Sequence, residues 1–380
     1  MIRDDRHPTQ PSVLFIGALP EPVTGQSVAC QVLLEALRAE YRVEVVDLSK
    51  RGFRQGVDSL ARVVDVLRIL YRVWRLQRSA DLIYLTVSES LAGNVKDLLI
   101  YAACWRRLSR VIVHLHGGAG LRKILCDGEH PLRSVNAFFL RRIGAAVVLG
   151  RRHLDIYRDA VPPQRLHVVA NFASDELFVA TSRIHAKFAA ATPLRILFLS
   201  NLLPGKGHEE TLAAFQSLAV AERDALVIDF AGGFESDEAR LDFERRIRGA
   251  PQLRYHGIVR DRRKQELFES AHVFCLPTYY SYEGQPISIL EAFASGCAVV
   301  TTDHSGIGDV FADGVNGLLV TVRSAESIRD AFMAALSDVA RLESFAITNH
   351  ETAKRRFSVA QFTSRMLDVF AQTRRLNHIR

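Results

Sequence analysis

The stretch VLFIGALPEPVTGQSVACQVLLEAL, residues 13–37, sets an apolar strand before a Gly/Pro loop and a helical pattern; RILFLSNLLPGKGHEETLAAF, residues 195–215, repeats the same three elements. The chain therefore starts over in its middle. Around these two stretches, short Val/Ile/Leu-rich runs alternate with helical patterns. VEVVD (43–47), DLIYLT (81–86), VIVHLH (111–116) and AAVVLG (145–150) follow the first. LVIDFAG (226–232), HVFCLP (272–277) and AVVTT (298–302) follow the second. These runs are near-continuously apolar and do not alternate, as strands are when helices cover both faces of a parallel sheet. Strand and helix in alternation predict α/β architecture with doubly wound sheets. The expected parse is two Rossmann-like domains, 1–180 and 181–356, with one more helical pattern at 357–380 packing back on the first. Residues 171–193 show no clear period and read as a linker with a peripheral turn.

Composition fits that parse. A chain of 380 residues with 48% hydrophobic and 24% charged residues has material for more than one core. The opening MIRDDRHPTQPS has no apolar h-region, so no secretory signal is expected. No uncharged apolar run reaches the roughly 18 residues a membrane-spanning helix needs. Five cysteines without a CxxC read as buried free thiols of a cytoplasmic protein. The formal charge of +7 asks for an anionic partner. Nucleic acid is not expected, since no aromatic-interleaved basic run or nucleic-acid module occurs. Within 60–78, Arg68, Arg72 and Arg75 recur at helical spacing, with Val63, Val66, Leu67, Leu70 and Trp74 on the other side. Two readings stay open for this segment: a helix packed on its own sheet, or one lying on an anionic bilayer together with Arg106, Arg107 and Arg110.

In open α/β sheets, ligands bind beyond the carboxyl ends of strands, where helix starts offer backbone N–H groups to anions. Three loops have that form. ALPEPVTGQS carries Gly25, and SNLLPGKGHEE carries Lys206 between two glycines. The second is not a Walker A loop, because His208 follows Gly207 where Ser or Thr is needed. The third is EGQPISILE, Glu283 to Glu291. Pro286 suits a helix start and Gly296 a helix end, so a helix is expected over 286–295, with Glu283 outside it and Glu291 within. An unpaired charge in ISILEAFA would be costly, which argues against two idle surface carboxylates. A glycosidase-like acid/base pair is the other alternative, although a hydrolase has no use for the neighbouring phosphate seats. On the residues alone, the loop is a diphosphate seat, formed by the backbone N–H groups between Gly284 and Ile287, of which Pro286 has none, and flanked by two carboxylates that accept from hydroxyls. A nucleotide sugar has both features.

The region from Leu194 to about Val320 resembles the nucleotide-sugar-binding half of the family 4 retaining glycosyltransferases, which have the GT-B fold. The Glu-x7-Glu element at Glu283 and Glu291, the LPGKG loop and VNGLLV (315–320) carry the resemblance. The Gly25 loop, His116-Gly117 and Asn171 match more loosely. The resemblance implies two Rossmann-like domains facing across a cleft, the first binding an acceptor and the second a nucleotide sugar such as a UDP- or GDP-sugar. It further implies that Lys206 neutralises the donor diphosphate and that Glu291 holds the ribose. Glu283 would hold the transferred sugar with Gly284, Gln285, Pro286 and Ile287, while Ile258 and Val259 receive the base and Gly25 lets the backbone approach the donor. His116 would stand near the reacting sugar. No metal and no cofactor are implied, and no DxD occurs.

The chain departs from the family at several positions. Asn201 stands where an Arg usually provides a second phosphate cation, and Gly25-Gln26 replaces a Gly-Gly. Pro277-Thr278 replaces Pro-Ser, followed by Tyr279, Tyr280 and Tyr282, and Asp309 replaces a glutamate. The expected activity is transfer of a sugar with retention to an acceptor hydroxyl. The acceptor would be a lipid-linked sugar or an oligosaccharide, in bacterial surface polysaccharide or glycolipid assembly at the inner face of the cell membrane. Asn201 keeps open the alternative of a degenerate homologue that binds a nucleotide sugar or a partner without transfer.

Overall fold

The computed structural model describes residues 10–49, 59–127 and 130–378. The polar opening over 1–9 and the side chains of 59–62 in the basic segment lie outside the described residues. The chain divides into two compact units, Met1–Val169 with Thr363–Arg380, and Ala170–Phe362.

The first unit is built on a six-stranded parallel sheet in the order β2-β1-β3-β4-β5-β6. Its strands are β1 (Ser12–Gly17), β2 (Arg42–Asp47), β3 (Leu82–Thr86), β4 (Val111–Leu115), β5 (Ala145–Val148) and β6 (Leu166–Val168). The helices that matter below are α1 (Gly25–Glu40), α2 (Ser59–Leu76), α3 (Leu91–Ala103), α4 (Ala119–Leu125) and α5 (Arg133–Leu140). Thr24 caps α1, accepting from the Ser27 amide at 3.1 Å while Ser27 Oγ accepts from the Thr24 amide at 2.8 Å. Residues 363–378, the greater part of the last helix (Val359–His378), belong to this unit. Phe370 there is fully buried, its ring 6.0 Å from those of Tyr41 and Tyr84.

The second unit repeats the plan with the order β12-β11-β10-β7-β8-β9. Its strands are β7 (Leu194–Leu199), β8 (Leu226–Ala231), β9 (Leu253–Tyr255), β10 (Val273–Leu276), β11 (Ala298–Thr301) and β12 (Gly317–Leu319). β7 pairs with β8 over six positions from Leu194↔Leu226 to Leu199↔Ala231, as β1 pairs with β2 from Ser12↔Arg42 to Gly17↔Asp47. The restart seen in the sequence is thus a repeated strand register. In both sheets the order reverses beside the first strand, between β1 and β3 and between β7 and β10. Doubly wound sheets open a ligand crevice at such a reversal.

Three expectations are corrected. The stretch 171–193 is more than a linker, because Thr181–Ala189 is a helix that buries Ile184 and Phe188. Only one i,i+4 pair faces the core, too short a pattern to show a period. In α2 the expected apolar side splits. Val66 and Leu70 are half-buried, whereas Val63, Leu67 and Trp74 are exposed among the arginines. Arg107 and Arg110 are not free surface charges, since both donate to the Ala80 carbonyl, at 3.2 and 3.3 Å.

His272, just ahead of β10, links the second sheet to the 181–189 helix. Its Nδ1 accepts from the Arg195 amide at 2.9 Å and its Nε2 donates to the Lys187 carbonyl at 3.0 Å, which fixes the neutral tautomer. Burial pulls its pKa down to about 4. An unfolded histidine takes its proton near pH 6.5, so this contribution to stability is complete above that pH and is lost as pH falls toward 4. Denaturant titrations at pH 7 and pH 4 are expected to show a loss smaller by about 3 kcal/mol for His272→Gln than for the unsubstituted protein.

Candidate functional site

The site in the second unit grows from the loops after β7 and β10, the two strands at the sheet reversal. After β7, Gly205 and Gly207 both have left-handed backbone, φ 90° and 91°, and the loop turns through a Lys206 amide to Leu203 carbonyl bond of 3.0 Å. A Cβ on Gly207 would lie 2.5 Å from the Pro277 carbonyl oxygen, so only glycine lets the two loops approach this closely. They are clipped together where the Tyr279 amide donates to the Gly205 carbonyl at 2.7 Å. That clip sets Lys206 against the opening stretch of the second loop. Lys206 Nζ lies 2.7 Å from Glu283 Oε2, and Thr278 Oγ1 donates to the same oxygen at 2.9 Å. The Lys206 ammonium also stands 4.7 Å above the Tyr280 ring. Thr278, a departure from the family pattern, is thereby a direct support of the first glutamate.

The helix after this loop runs Ile287–Ala294, with Pro286 as its N-cap residue. It ends as expected at Gly296, φ 62°, where Gly296 and Cys297 amides bond back to Phe293 and Ala292 carbonyls at 3.0 and 2.9 Å. The turn before it is fixed from outside. Asn171 exchanges two bonds with Gln285, its amide to Oε1 and its Nδ2 to the Gln285 carbonyl, each 2.8 Å. The Gly306 amide donates to the Gly284 carbonyl at 2.9 Å, and Ser305 Oγ to the Glu283 carbonyl at 2.6 Å. Glu291 is only 1% exposed, which demands a partner. The partner is Lys264, whose Nζ lies 2.5 Å from Glu291 Oε1, with Ser174 Oγ at 3.3 Å from the same oxygen. Each glutamate therefore has one lysine and one hydroxyl on it.

Lys264 and Ser174 are site residues that the sequence reading missed. Lys264 sits in the helix Asp261–Ser270, three and four positions before the buried Leu267 and Phe268. A lysine on the core-facing stripe was the available signal. Asn201 and Ile258 both come close to Gly233, where an added Cβ would lie 3.2 Å from Ile258 Cδ1 and 3.7 Å from Asn201 Oδ1. Asn201 follows β7, its carbonyl accepting from the Leu203 amide at 2.9 Å. Ile258 is exposed and Val259 packs against the core, beyond Gly257, whose carbonyl accepts from the Gly232 amide at 2.8 Å. Of the three tyrosines, Tyr279 is engaged with Glu210 at 2.7 Å, and Tyr280 and Tyr282 meet edge to face at 5.7 Å.

Gly25 and His116 belong to the first unit. Gly25 opens α1, and His116 follows β4. The His114 and His116 rings lie 4.0 Å apart, and Tyr84 Oη sits 2.8 Å from His114 Nδ1. Both His116 ring nitrogens are buried without a protein partner, and burial pulls its pKa down to about 3. It is a neutral imidazole at any working pH. Among the described residues, no three metal-ligating side chains cluster.

Residues 181–351 match the family described as glycosyl transferases group 1. Phosphatidyl-myo-inositol mannosyltransferase of Mycolicibacterium smegmatis is 35% identical over 144 residues, 38% of this chain and 36% of that protein. N,N'-diacetylbacillosaminyl-diphospho-undecaprenol alpha-1,3-N-acetylgalactosaminyltransferase of Campylobacter jejuni is 28% identical over 143 residues, 38% of this chain and 35% of that protein. The aligned segments thus span about a third of these relatives, 36% and 35%. The crystal structure of Anabaena HepE in complex with UDP superposes with a TM-score of 0.70 at 16% identity, covering 95% of this chain and 99% of that one. The chain has the GT-B fold, and the match to the glycosyl transferases group 1 family falls on its second unit.

Removing one member of a buried ion pair strands the other charge. Lys264→Met is expected to lower the stability of the second unit by about 3 kcal/mol in urea denaturation, with Lys264→Met/Glu291→Leu recovering most of it. Equal stability of the two variants would show that the pair does not act as a unit.

Proposed function

We propose that this protein transfers a sugar from a nucleotide diphosphate donor to an acceptor hydroxyl with retention at the anomeric carbon and without a metal. The observation that carries the reading is the pairing of both Glu-x7-Glu carboxylates, which follow β10, with lysines from the loop after β7 and from the 261–270 helix, within the matched family region. In this reading Glu283 holds hydroxyls of the transferred sugar and Glu291 the ribose. Lys206 and the backbone N–H groups of Gly284, Gln285 and Ile287 take the diphosphate, Gly25 and Asn201 border it, and Ile258 and Val259 receive the base. No carboxylate is assigned as a covalent nucleophile. The acceptor oxygen attacks on the face from which the phosphate leaves; the sugar–phosphate C–O bond breaks, the new C–O bond forms, and the leaving phosphate takes the acceptor proton. Rate enhancement comes from holding the partners together and from charge stabilisation at the diphosphate. His116, being neutral, contributes a hydrogen bond to the reacting sugar and not a charge. UDP- or GDP-sugars are the proposed donors.

The proposed acceptor is lipid-linked or an oligosaccharide, in surface polysaccharide or glycolipid assembly at the inner face of the cell membrane. The two curated relatives are named for phosphatidyl and diphospho-undecaprenol compounds. Among the described residues no helix is long and apolar enough to cross a membrane. The outer side of α2 suits peripheral contact instead. Leu67, Tyr71 and Trp74 are exposed there among Arg68, Arg72 and Arg75, and the Arg78 guanidinium stacks 4.1 Å from the Trp74 ring. Trp105 and Phe138, stacked at 5.3 Å and both exposed, extend this aromatic, arginine-rich character to the neighbourhood of α3 and α5. A second reading, nucleotide-sugar binding without transfer, is favoured by Asn201 alone, which brings no charge to the phosphate.

Calorimetry with UDP-, GDP- and ADP-sugars is expected to find one donor that binds and is slowly hydrolysed. Glu291→Ala weakens it at least tenfold, and His116→Ala lowers turnover about a hundredfold. Over pH 5–8 the turnover profile carries no inflection from His116. Binding with no hydrolysis or transfer selects the second reading, and no binding of any nucleotide sugar overturns both. In flotation assays with phosphatidylglycerol/phosphatidylcholine vesicles, the protein is expected to float, and Leu67→Asp/Trp74→Asp to remain behind. Equal flotation of the two would remove α2 from the membrane contact.

A further inference from the structure

The loop after β3 places a carboxylate that no role assigned above uses. Glu89 lies beside the reversal of the first sheet, the position at which doubly wound sheets bind ligands. Its Oε2 accepts from the Gly120 amide at 2.7 Å, and the Gly118 and Leu121 amides also act on the carboxylate. The amides opening α4, directly after His116-Gly117, are thus turned toward the protein's own negative charge. The contact is close: a Cβ on Gly117 would lie 2.9 Å from Glu89 Cδ, and one on Gly120 only 1.9 Å from the Glu89 carbonyl oxygen. The second carboxylate oxygen, Oε1, is buried and has no hydrogen-bond partner. It would lie 3.0 Å from that Gly117 Cβ, one residue from His116, whose own ring nitrogens are buried and unpartnered.

A buried carboxylate oxygen without a donor is costly unless something supplies one. The Gly120 amide already holds the other oxygen, and a phosphate brought here would meet a carboxylate where it needs donors. A sugar hydroxyl offers the missing proton. We propose that Glu89 is an acceptor-binding residue, its Oε1 taking a hydrogen bond from a hydroxyl of a neutral sugar face presented beside His116. The phosphate of a lipid-linked acceptor, where one is present, then lies away from this point. This inference rests on the transfer reading above and adds the chemistry of the acceptor's reacting end.

The test uses the full chain and saturation-transfer NMR with methyl α-glucoside, methyl α-mannoside and methyl α-galactoside, each beside its 6-phosphate, in the presence of the nucleotide that the protein binds. The unsubstituted protein is expected to bind at least one neutral glycoside at least tenfold more tightly than its phosphate. Glu89→Gln, checked for folding by its melting curve, turns an acceptor into a donor at this point. It is expected to cut that ratio about tenfold, as the loss of a hydrogen bond to a charged group does. A ratio unchanged in Glu89→Gln, with both affinities reduced alike, marks a structural role and overturns the proposal. Preference of the unsubstituted protein for the phosphates, or binding of none of the six sugars, overturns it without recourse to a variant. Failure to bind any nucleotide sugar in the calorimetry above is a different result, and it removes the transfer reading beneath this proposal.

Discussion

The second unit depends on two ammonium–carboxylate contacts, Lys206 on Glu283 at 2.7 Å and Lys264 on Glu291 at 2.5 Å. Glu291 sits in a helix that is otherwise all but buried, and Glu283 is only 7% exposed. Taking two carboxylates this far from water demands compensation that apolar neighbours cannot give. The lysines give it, and they come from separate elements, one from the loop after β7 and one from the 261–270 helix. Their charges thereby tie the 283–294 segment to the rest of its sheet. The same contacts leave each pair with both an acceptor and a donor side by side, which is what a hydroxyl needs on each of its faces.

Everything else around the site serves to bring those partners into reach. The sheet reversal puts the β7 and β10 loops next to one another, and the left-handed glycines allow them to touch. Thr278 and Ser174 add one hydroxyl to each carboxylate, and Asn171 with Gln285 pins the turn between them. The first unit has a parallel arrangement at its own reversal, with Glu89 held by the amides that follow His116. In both units, therefore, acidic side chains are placed where an open sheet offers its crevice, and in both the backbone around them is glycine-rich because close approach requires it.

Much of this was legible in the sequence. All nine apolar runs are strands, and the Pro286 start and Gly296 end of the helix stand within one residue of expectation. The three strands that escaped notice, β6, β9 and β12, are three-residue edge strands. Three residues are too few to show a run, whereas β2, an edge strand of six residues, left one. Lys206 and Glu283 were visible as a loop lysine and a loop carboxylate, but their contact was not, because it joins positions 77 residues apart. Lys264 was hidden for a different reason. It follows Arg262 and Arg263, and a row of basic residues looks solvated unless the helix is given its rotation. The outward apolar residues of α2 were misassigned in the same way: periodicity says which residues share a face, while only the packing says which face turns inward.

The last helix has a bearing on how the chain acquires its structure. It begins at Val359 in the second unit, and from Thr363 onward it belongs to the first, where Phe370 completes the packing over Tyr41 and Tyr84. Unit two is one unbroken span of polypeptide, whereas unit one is assembled from two pieces separated by all of unit two. During synthesis the first 169 residues emerge early, yet a fully buried part of their aromatic packing is encoded after residue 362. The N-terminal piece must therefore wait, with apolar surface uncovered, while its neighbour is made and folds. In vivo, the order of completion runs against the order of translation.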